Sequence, residues 1–181
     1  DLVRASKNSL ERVRNIVGEL RTFANSDQQE KSSLNLKSVM DECLNDYGLL
    51  NHNSIRVYAL LDGLPEVKAV RSQVMMVFGK ILKNAIDALS KGGTIEIAGE
   101  YDDESVSIFI KDTGVGMSEE DVRCAINPFF TRKEIGAGIG LGLTVAYNLM
   151  LNHGGELSIN SENGKGTVVI LKFPFTDVLF D

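Results

Sequence analysis

The chain predicts an α+β fold: a two-layer α/β sandwich, one mixed sheet with helices on one face, preceded by one long amphipathic helix. Three observations predict it. Residues 72–90 carry an apolar stripe at helical spacing, Val74, Val77, Phe78, Ile81, Leu82, Ala85, Ala88 and Leu89. Two pairs of alternating segments, 94–101 with 105–111 and 156–160 with 167–173, read as strand pairs closed by short turns. Leu2, Ser6, Ser9, Val13, Ile16, Leu20 and Phe23 alternate spacings of four and three, which is a heptad seam.

Taken in order, residues 1–24 form the first helix. A second row, Val3, Leu10, Val17 and Ala24, widens the stripe beyond what a two-stranded coil needs and suits a helical bundle. The other reading is a helix packed on its own domain. Residues 27–33 are polar and helix-poor and form a linker. From Leu34 to Asn51 the pattern is helical through Leu36, Val39, Met40, Cys43, Leu44 and Tyr47. A strand over 55–60, a turn at Asp62-Gly63 and a strand near 67–70 follow. On the 72–90 helix, Lys80, Asn84, Asp87 and Lys91 make a second, polar stripe, about 120° around from the apolar one. Lys91-Gly92-Gly93 ends that helix. Ser118, with Asp121 three residues on, reads as the N-cap of a short helix. A further helix starts near Ile139 and ends at His153-Gly154-Gly155, and Asn163 to Gly166 turns the last hairpin.

A chain of 181 residues that is 43% hydrophobic can bury one good core. The net charge of −6 argues against a nucleic-acid binder or an anionic-membrane binder. A polyanionic ligand must therefore meet local cations, for which Lys80, Lys83, Arg132 and Lys133 are the candidates. Two cysteines far apart, Cys43 and Cys124, suggest a reducing, cytoplasmic compartment rather than a disulfide framework. No apolar run approaches the roughly 20 residues of a membrane span. The start at Asp1, inside a helical pattern, predicts a fragment of a longer protein. Two histidines and two dispersed cysteines predict no zinc site.

The most informative stretch runs from Asp112 to Leu143. Gly114 and Gly116 form one cluster and Gly136, Gly138, Gly140 and Gly142 another, with Phe129, Phe130, Arg132 and Lys133 between them. Glycines let a ligand approach the backbone, and amides leading into a helix N-terminus cradle phosphate oxygens. Together they suggest a nucleotide site with a basic covering segment.

Asp112-Thr113-Gly114-Val115-Gly116 resembles the G1 box of the histidine-kinase ATP-binding domain. Pro128-Phe129-Phe130-Thr131-Arg132-Lys133 resembles its F box, Gly138-Ile139-Gly140-Leu141-Gly142-Leu143 its G2 box, and Lys80-Ile81-Leu82-Lys83-Asn84-Ala85 its N box. The four motifs stand in the family's order, and the resemblance covers residues 1–175. It implies the Bergerat fold of the GHKL ATPases. It also implies a partial dimerisation and histidine-phosphotransfer helix over 1–26, the linker over 27–33 and an ATP-binding catalytic domain over 34–181. The implied activity is transfer of the γ-phosphoryl of ATP, with Mg²⁺, to a histidine on a preceding helix and thence to an aspartate of a response regulator receiver domain. The full-length protein would be a homodimer.

Residue by residue, the resemblance implies that Asp112 accepts from the adenine amine, where a strand-end Asx turn is the alternative. Asn84 would ligate Mg²⁺, and Asn84, Lys133 and Lys80 would surround the transferred group. The implied nucleotide-binding set is Asn84, Asp87, Asp112, Gly114, Gly116, Met117, Phe130, Thr131, Arg132, Lys133, Gly138, Ile139, Gly140, Leu141, Gly142, Leu143 and Thr167. Phe129 and Phe130 are expected to anchor their segment on the core. A β-branched side chain at Gly140 or Gly142 is expected both to obstruct the phosphates and to strain the turn. Lys80 departs from the family, whose N box commonly has Asn there and whose ATP-hydrolysing relatives have a Glu. Lysine is neither a ready base nor a metal ligand, but it suits a phosphate contact. Neither His52 nor His153 sits on an exposed bundle helix, so the phosphoacceptor would precede Asp1, and this chain would bind ATP without phosphorylating itself. Two rival readings are a GHKL-type ATPase, against which Lys80 and the short covering segment speak, and a non-catalytic scaffold derived from a kinase.

Overall fold

A computed structural model describes residues 30–133 and 138–175. The expected helix over 1–24, Gly136 and the tail after Phe175 lie outside them.

Strand β1 (Ser32–Leu34) pairs antiparallel with β3 (Val67–Ala69) in a small separate sheet, so a strand occupies the last two residues read as linker. Helix α1 (Leu36–Asp46) is capped by Asn35, whose side chain accepts from the Ser38 amide at 2.9 Å. It buries Leu36, Val39, Met40, Cys43 and Leu44. The helix stops earlier than its apolar pattern suggests, because Gly48 turns left-handed (φ 63°) into a 3₁₀ turn over Leu49–Asn51. His52 then organises the entry to β2 (Ile55–Leu60), its Nδ1 accepting from the amides of Ser54 and Ile55 at 3.3 and 3.2 Å.

Helix α2 (Arg71–Ala88) buries Val74, Val77, Phe78, Ile81, Leu82 and Ala85. It ends at Ala88, so Lys91 lies beyond it and the polar stripe keeps three members, Lys80, Asn84 and Asp87. Strands β4 (Gly93–Tyr101), β5 (Ser105–Asp112), β6 (Glu156–Glu162) and β7 (Gly166–Pro174) complete a five-stranded sheet in the order β2-β4-β5-β7-β6. The β2–β4 pair is parallel and the rest antiparallel, which is the mixed sheet expected.

Short helix α3 (Glu119–Cys124) starts at Ser118, whose hydroxyl accepts from the Asp121 amide at 3.2 Å, as its sequence suggests. Helix α4 (Gly142–Asn152) packs against α2 and over β6 and β7. The core lies between these helices and the inward row of the sheet, Ile95, Ile97, Val106, Ile108, Ile110, Leu157, Val169, Leu171 and Phe173. Phe78 meets Phe173 edge-on at 6.3 Å and fixes α2 over β7. The opposite face carries Tyr58 and Leu60, the latter 74% exposed. Among the described residues no helix is long and apolar enough to cross a membrane.

Candidate nucleotide site

One side of α2 meets each of the glycine-rich segments in turn. Near its middle, the Lys80 side chain passes 3.8 Å from the position a Gly142 Cβ would take, at the first turn of α4. Two turns further on, the Asp87 carboxylate holds the Lys133 ammonium at 2.6 Å. At its C-terminus, the Ala88 carbonyl accepts from the Val115 amide at 3.3 Å. Asn84 lies between these contacts, half-buried, and its side chain has no hydrogen-bond partner among the described residues.

Asp112 ends β5 at 6% exposure. Its Oδ1 accepts from the Gly114 amide at 2.8 Å, and Thr167 is its cross-strand partner. Burial pushes the carboxyl above its usual range, and the neighbouring Gly114 and Thr167 amides, which favour the charged form, only partly offset this. Both the Asx turn and a buried acceptor are therefore present in one residue. Gly114 is required by space: a Cβ there would meet the Ala88 carbonyl and the Asp112 carboxylate, each at 2.7 Å. Gly116 is required by conformation as well, with φ 64° and the Glu162 carbonyl where a Cβ would go. The loop is fastened to the last hairpin through the Met117 amide, which donates to Ser161 Oγ at 2.9 Å. Ser161 also contacts the Thr167 hydroxyl at 2.9 Å. Sequence reasoning missed Ser161, because its partners are distant in the chain and a strand serine carries no local signal.

The basic segment differs from its expected packing. Phe129 is 67% exposed at φ 66°, and neither Phe129 nor Phe130 joins the core cluster. The backbone anchors this segment instead: the Phe129 amide donates to the Gly140 carbonyl at 2.9 Å. The half-buried Phe130 ring stacks under Arg132 at 5.8 Å. The Arg132 guanidinium holds Asp121 at 2.7 Å, which keeps that carboxyl below its usual range. Thr131 Oγ1 accepts from the Lys133 amide at 3.2 Å.

Within the last glycine cluster, Ile139, Leu141 and Leu143 turn their side chains to the core, leaving the backbone as the exposed chemistry. Gly138 lies against the Lys133 stem, 3.1 Å from its would-be Cβ. Among the described residues no side chain caps the start of α4, so its first amides lack that partner there. A partnerless amide oxygen, uncapped helix amides, lysines and a buried carboxylate make a surface suited to a phosphate chain at one end and a hydrogen-bonding ring at the other.

Comparison with known proteins agrees with this arrangement. Residues 69–177 match the family described as histidine kinase-, DNA gyrase B-, and HSP90-like ATPase. The chain belongs to this family. Among curated proteins it resembles sporulation kinase E of Bacillus subtilis (strain 168), 34% identical over 91% of this chain and 22% of that protein. It also resembles sensor histidine kinase ZraS of Escherichia coli (strain K12), 33% identical over 62% of this chain and 24% of that protein. The chain thus spans about a quarter of the length of the curated relatives it matches. Among solved structures, the catalytic domain of histidine kinase ThkA aligns with a TM-score of 0.73 at 26% identity, covering 82% of this chain and 98% of that domain. Within its family, then, the chain is an ATP-binding domain of the sensor-histidine-kinase type.

Proposed function

We propose that this chain is the catalytic domain of a longer sensor histidine kinase, which moves the γ-phosphoryl of ATP to a histidine outside the described residues and onward to an aspartate of a response regulator. Under this reading residues 1–26 belong to the dimerisation bundle of a homodimer working in the cytoplasm. The observation that carries the proposal is the run of contacts along α2, from Lys80 beside Gly142, past Asn84, to Asp87 on Lys133 and Ala88 on the glycine loop. Three segments separated in sequence meet one helix face where a nucleotide would lie.

The residues have a division of labour. Asp112, held by the Gly114 amide, accepts from an exocyclic amine and selects adenine. Gly114 and Gly116 let the ring lie against backbone. The first amides of α4 receive phosphate oxygens, and Lys133 adds a mobile positive charge. The free amide oxygen of Asn84 suits a hard cation, so Asn84 would hold Mg²⁺. Bound there, Mg²⁺ would supply charge neutralisation between neighbouring phosphate oxygens. No carboxylate takes the position of a water-activating base, since Lys80 stands there. The chain's own contribution is therefore orientation and electrostatic stabilisation.

The test combines binding with product analysis. Calorimetry with ATP and Mg²⁺ should give saturable binding that Asp112→Asn weakens. Labelled ATP given to the full-length protein should leave an acid-labile, base-stable phosphoryl group, and Asn84→Ala should abolish it. Steady phosphate release without that label would instead assign hydrolysis, and no binding at all would assign a scaffold.

A further inference from the structure

Lys133 is already engaged by the chain itself. Its ammonium lies 2.6 Å from one Asp87 oxygen, while Lys83, one turn back on α2, lies 2.6 Å from the other. We propose that Asp87 is a built-in counter-ion that competes with nucleotide phosphate for Lys133, and so sets how tightly the site takes its anion. The inference rests on the nucleotide reading above and adds to it a positioning residue that acts through Lys133.

Several features favour exchange over a fixed structural ion pair. Carboxylate and phosphate oxygens offer an ammonium equivalent partners, and lysine, a compact charge on a flexible stem, can move between them without a directional fork. Arg132 makes the contrast: its Nε and its terminal amine both hold Asp121 Oδ1, at 2.8 and 2.7 Å, committing it to the first turn of α3. Asp87, moreover, is not left bare when Lys133 departs. Lys83 remains on its other oxygen, so release does not strand a half-buried charge. The Lys133 stem also lies along Gly138, so its ammonium is tethered beside the glycine backbone whichever partner it holds. Finally, Asp87 joins helix α2 to a segment 46 residues away, a link that local helix stability does not need.

A partly exposed pair of this kind is weak, so the expected effects are three- to tenfold rather than larger. The experiment has a nucleotide-free arm and a nucleotide arm. In the first, limited trypsin digestion is followed by mass spectrometry, using cleavage after Lys165 in the last hairpin turn as the internal control. Asp87→Asn should speed cleavage after Lys133 about three- to tenfold relative to the control. In the second, a fluorescent ATP analogue with Mg²⁺ is titrated into wild type, Asp87→Asn, Lys133→Met and the double variant, each with a wild-type melt. Asp87→Asn should tighten binding about three- to tenfold, Lys133→Met should weaken it, and Asp87→Asn should change affinity less than twofold once Lys133 is gone. Unchanged cleavage after Lys133 overturns the proposal. So does an Asp87→Asn effect of equal size in both Lys133 backgrounds, since Asp87 would then touch the nucleotide or its cation directly. A wild type that binds no analogue, while Asp87→Asn still speeds cleavage, overturns the nucleotide reading and sustains the counter-ion role.

Discussion

Phe129 and Gly140 face each other across a 2.9 Å amide-to-carbonyl bond, and both lie in the left-handed region, at φ 66° and 76°. For phenylalanine that conformation costs about 1–2 kcal/mol, which the bond helps offset. For Gly140 it excludes side chains twice over, because a Cβ would also meet the Phe129 carbonyl carbon and the Phe130 oxygen at 2.6 Å. Gly140→Ala should therefore lower the melting temperature and abolish ATP binding together. Gly142 is different, and here the expected strain at both glycines is corrected. Its φ is not positive and a Cβ would meet only Lys80, at 3.8 Å. Gly142→Ala should keep the wild-type melt and still weaken ATP about tenfold or more, by obstructing the phosphate position. A loss of stability at Gly142 matching that at Gly140 would refute the distinction.

Much of this was legible in sequence because it rests on local chemistry. The period of Val74 to Leu89, the Ser118 cap and the alternation of residues 94–111 each act over a few residues, and each is realised. The four motif segments come together along α2. What escaped was long-range or conformational. The β1–β3 pairing joins residues more than thirty positions apart, and short polar strands carry little pattern. Gly48 ends α1 although the apolar spacing continues past it. Phe129 looked like an anchor because it is aromatic, yet its backbone angle turns the ring outward. The Asp87–Lys133 pair depends on a helix meeting a loop 46 residues away, which no spacing encodes.

His153 ties the end of α4 to the start of α2. Its Nε2 accepts from the Val70 amide at 3.0 Å, so the proton sits on Nδ1, which donates to the Leu149 carbonyl at 2.7 Å. The ring is 3% exposed. His153→Ala leaves a cavity and an unpaired amide, which together cost about 2–4 kcal/mol. A fall in melting temperature of about 5–12 °C should follow. His153→Gln, which restores an acceptor, should recover part of it. An alanine variant within 2 °C of wild type would remove His153 from the scaffold.

Asp112 gives a pH prediction with a definite sign. Because burial raises its folded pKa above the unfolded value near 3.9, the folded state holds this proton more tightly. The resulting stabilisation is fully present below the unfolded value and is lost as pH rises through the folded one. Asp112→Asn should then be more stable than wild type at pH 7, with the advantage shrinking towards pH 4, while binding ATP more weakly. Urea midpoints at the two pH values check the first part and calorimetry the second. A variant less stable than wild type at pH 7 would mean that the amide bonds outweigh burial.

The two thiols should separate cleanly. Burial, reinforced by the nearby carboxylates Asp46 and Glu42, pushes Cys43 up to about 11. At pH 8 only about one molecule in a thousand then carries the thiolate. Cys124, half-buried on α3, is the accessible one. A disulfide-exchange reagent should titrate one thiol in the folded protein and a second only on unfolding. Two rapid equivalents in the native state would contradict the packing of α1.

Lys80 poses the sharpest question, because it is a cation set beside the start of α4. The N-terminus of a helix is itself the positive end, and a lysine beside it adds to the attraction for a phosphate group. Three outcomes separate the roles open to Lys80. If Lys80 contacts the terminal phosphate, Lys80→Ala should weaken ATP about tenfold and ADP less than twofold. Charge-assisted contacts away from water are worth about 1.5–3 kcal/mol, and exposed ones well under 1, so the size of the effect also reports the burial of the contact. If Lys80 merely replaces an asparagine that would help arrange Mg²⁺ with Asn84, one turn along the helix, Lys80→Asn should raise Mg²⁺-dependent affinity instead. If it is only a solvated side chain, neither change should register. We expect the first result, because its stem already lies 3.8 Å from where a Gly142 Cβ would stand, at the uncapped first turn. Equal ATP-to-ADP affinity ratios in wild type and Lys80→Ala would exclude it.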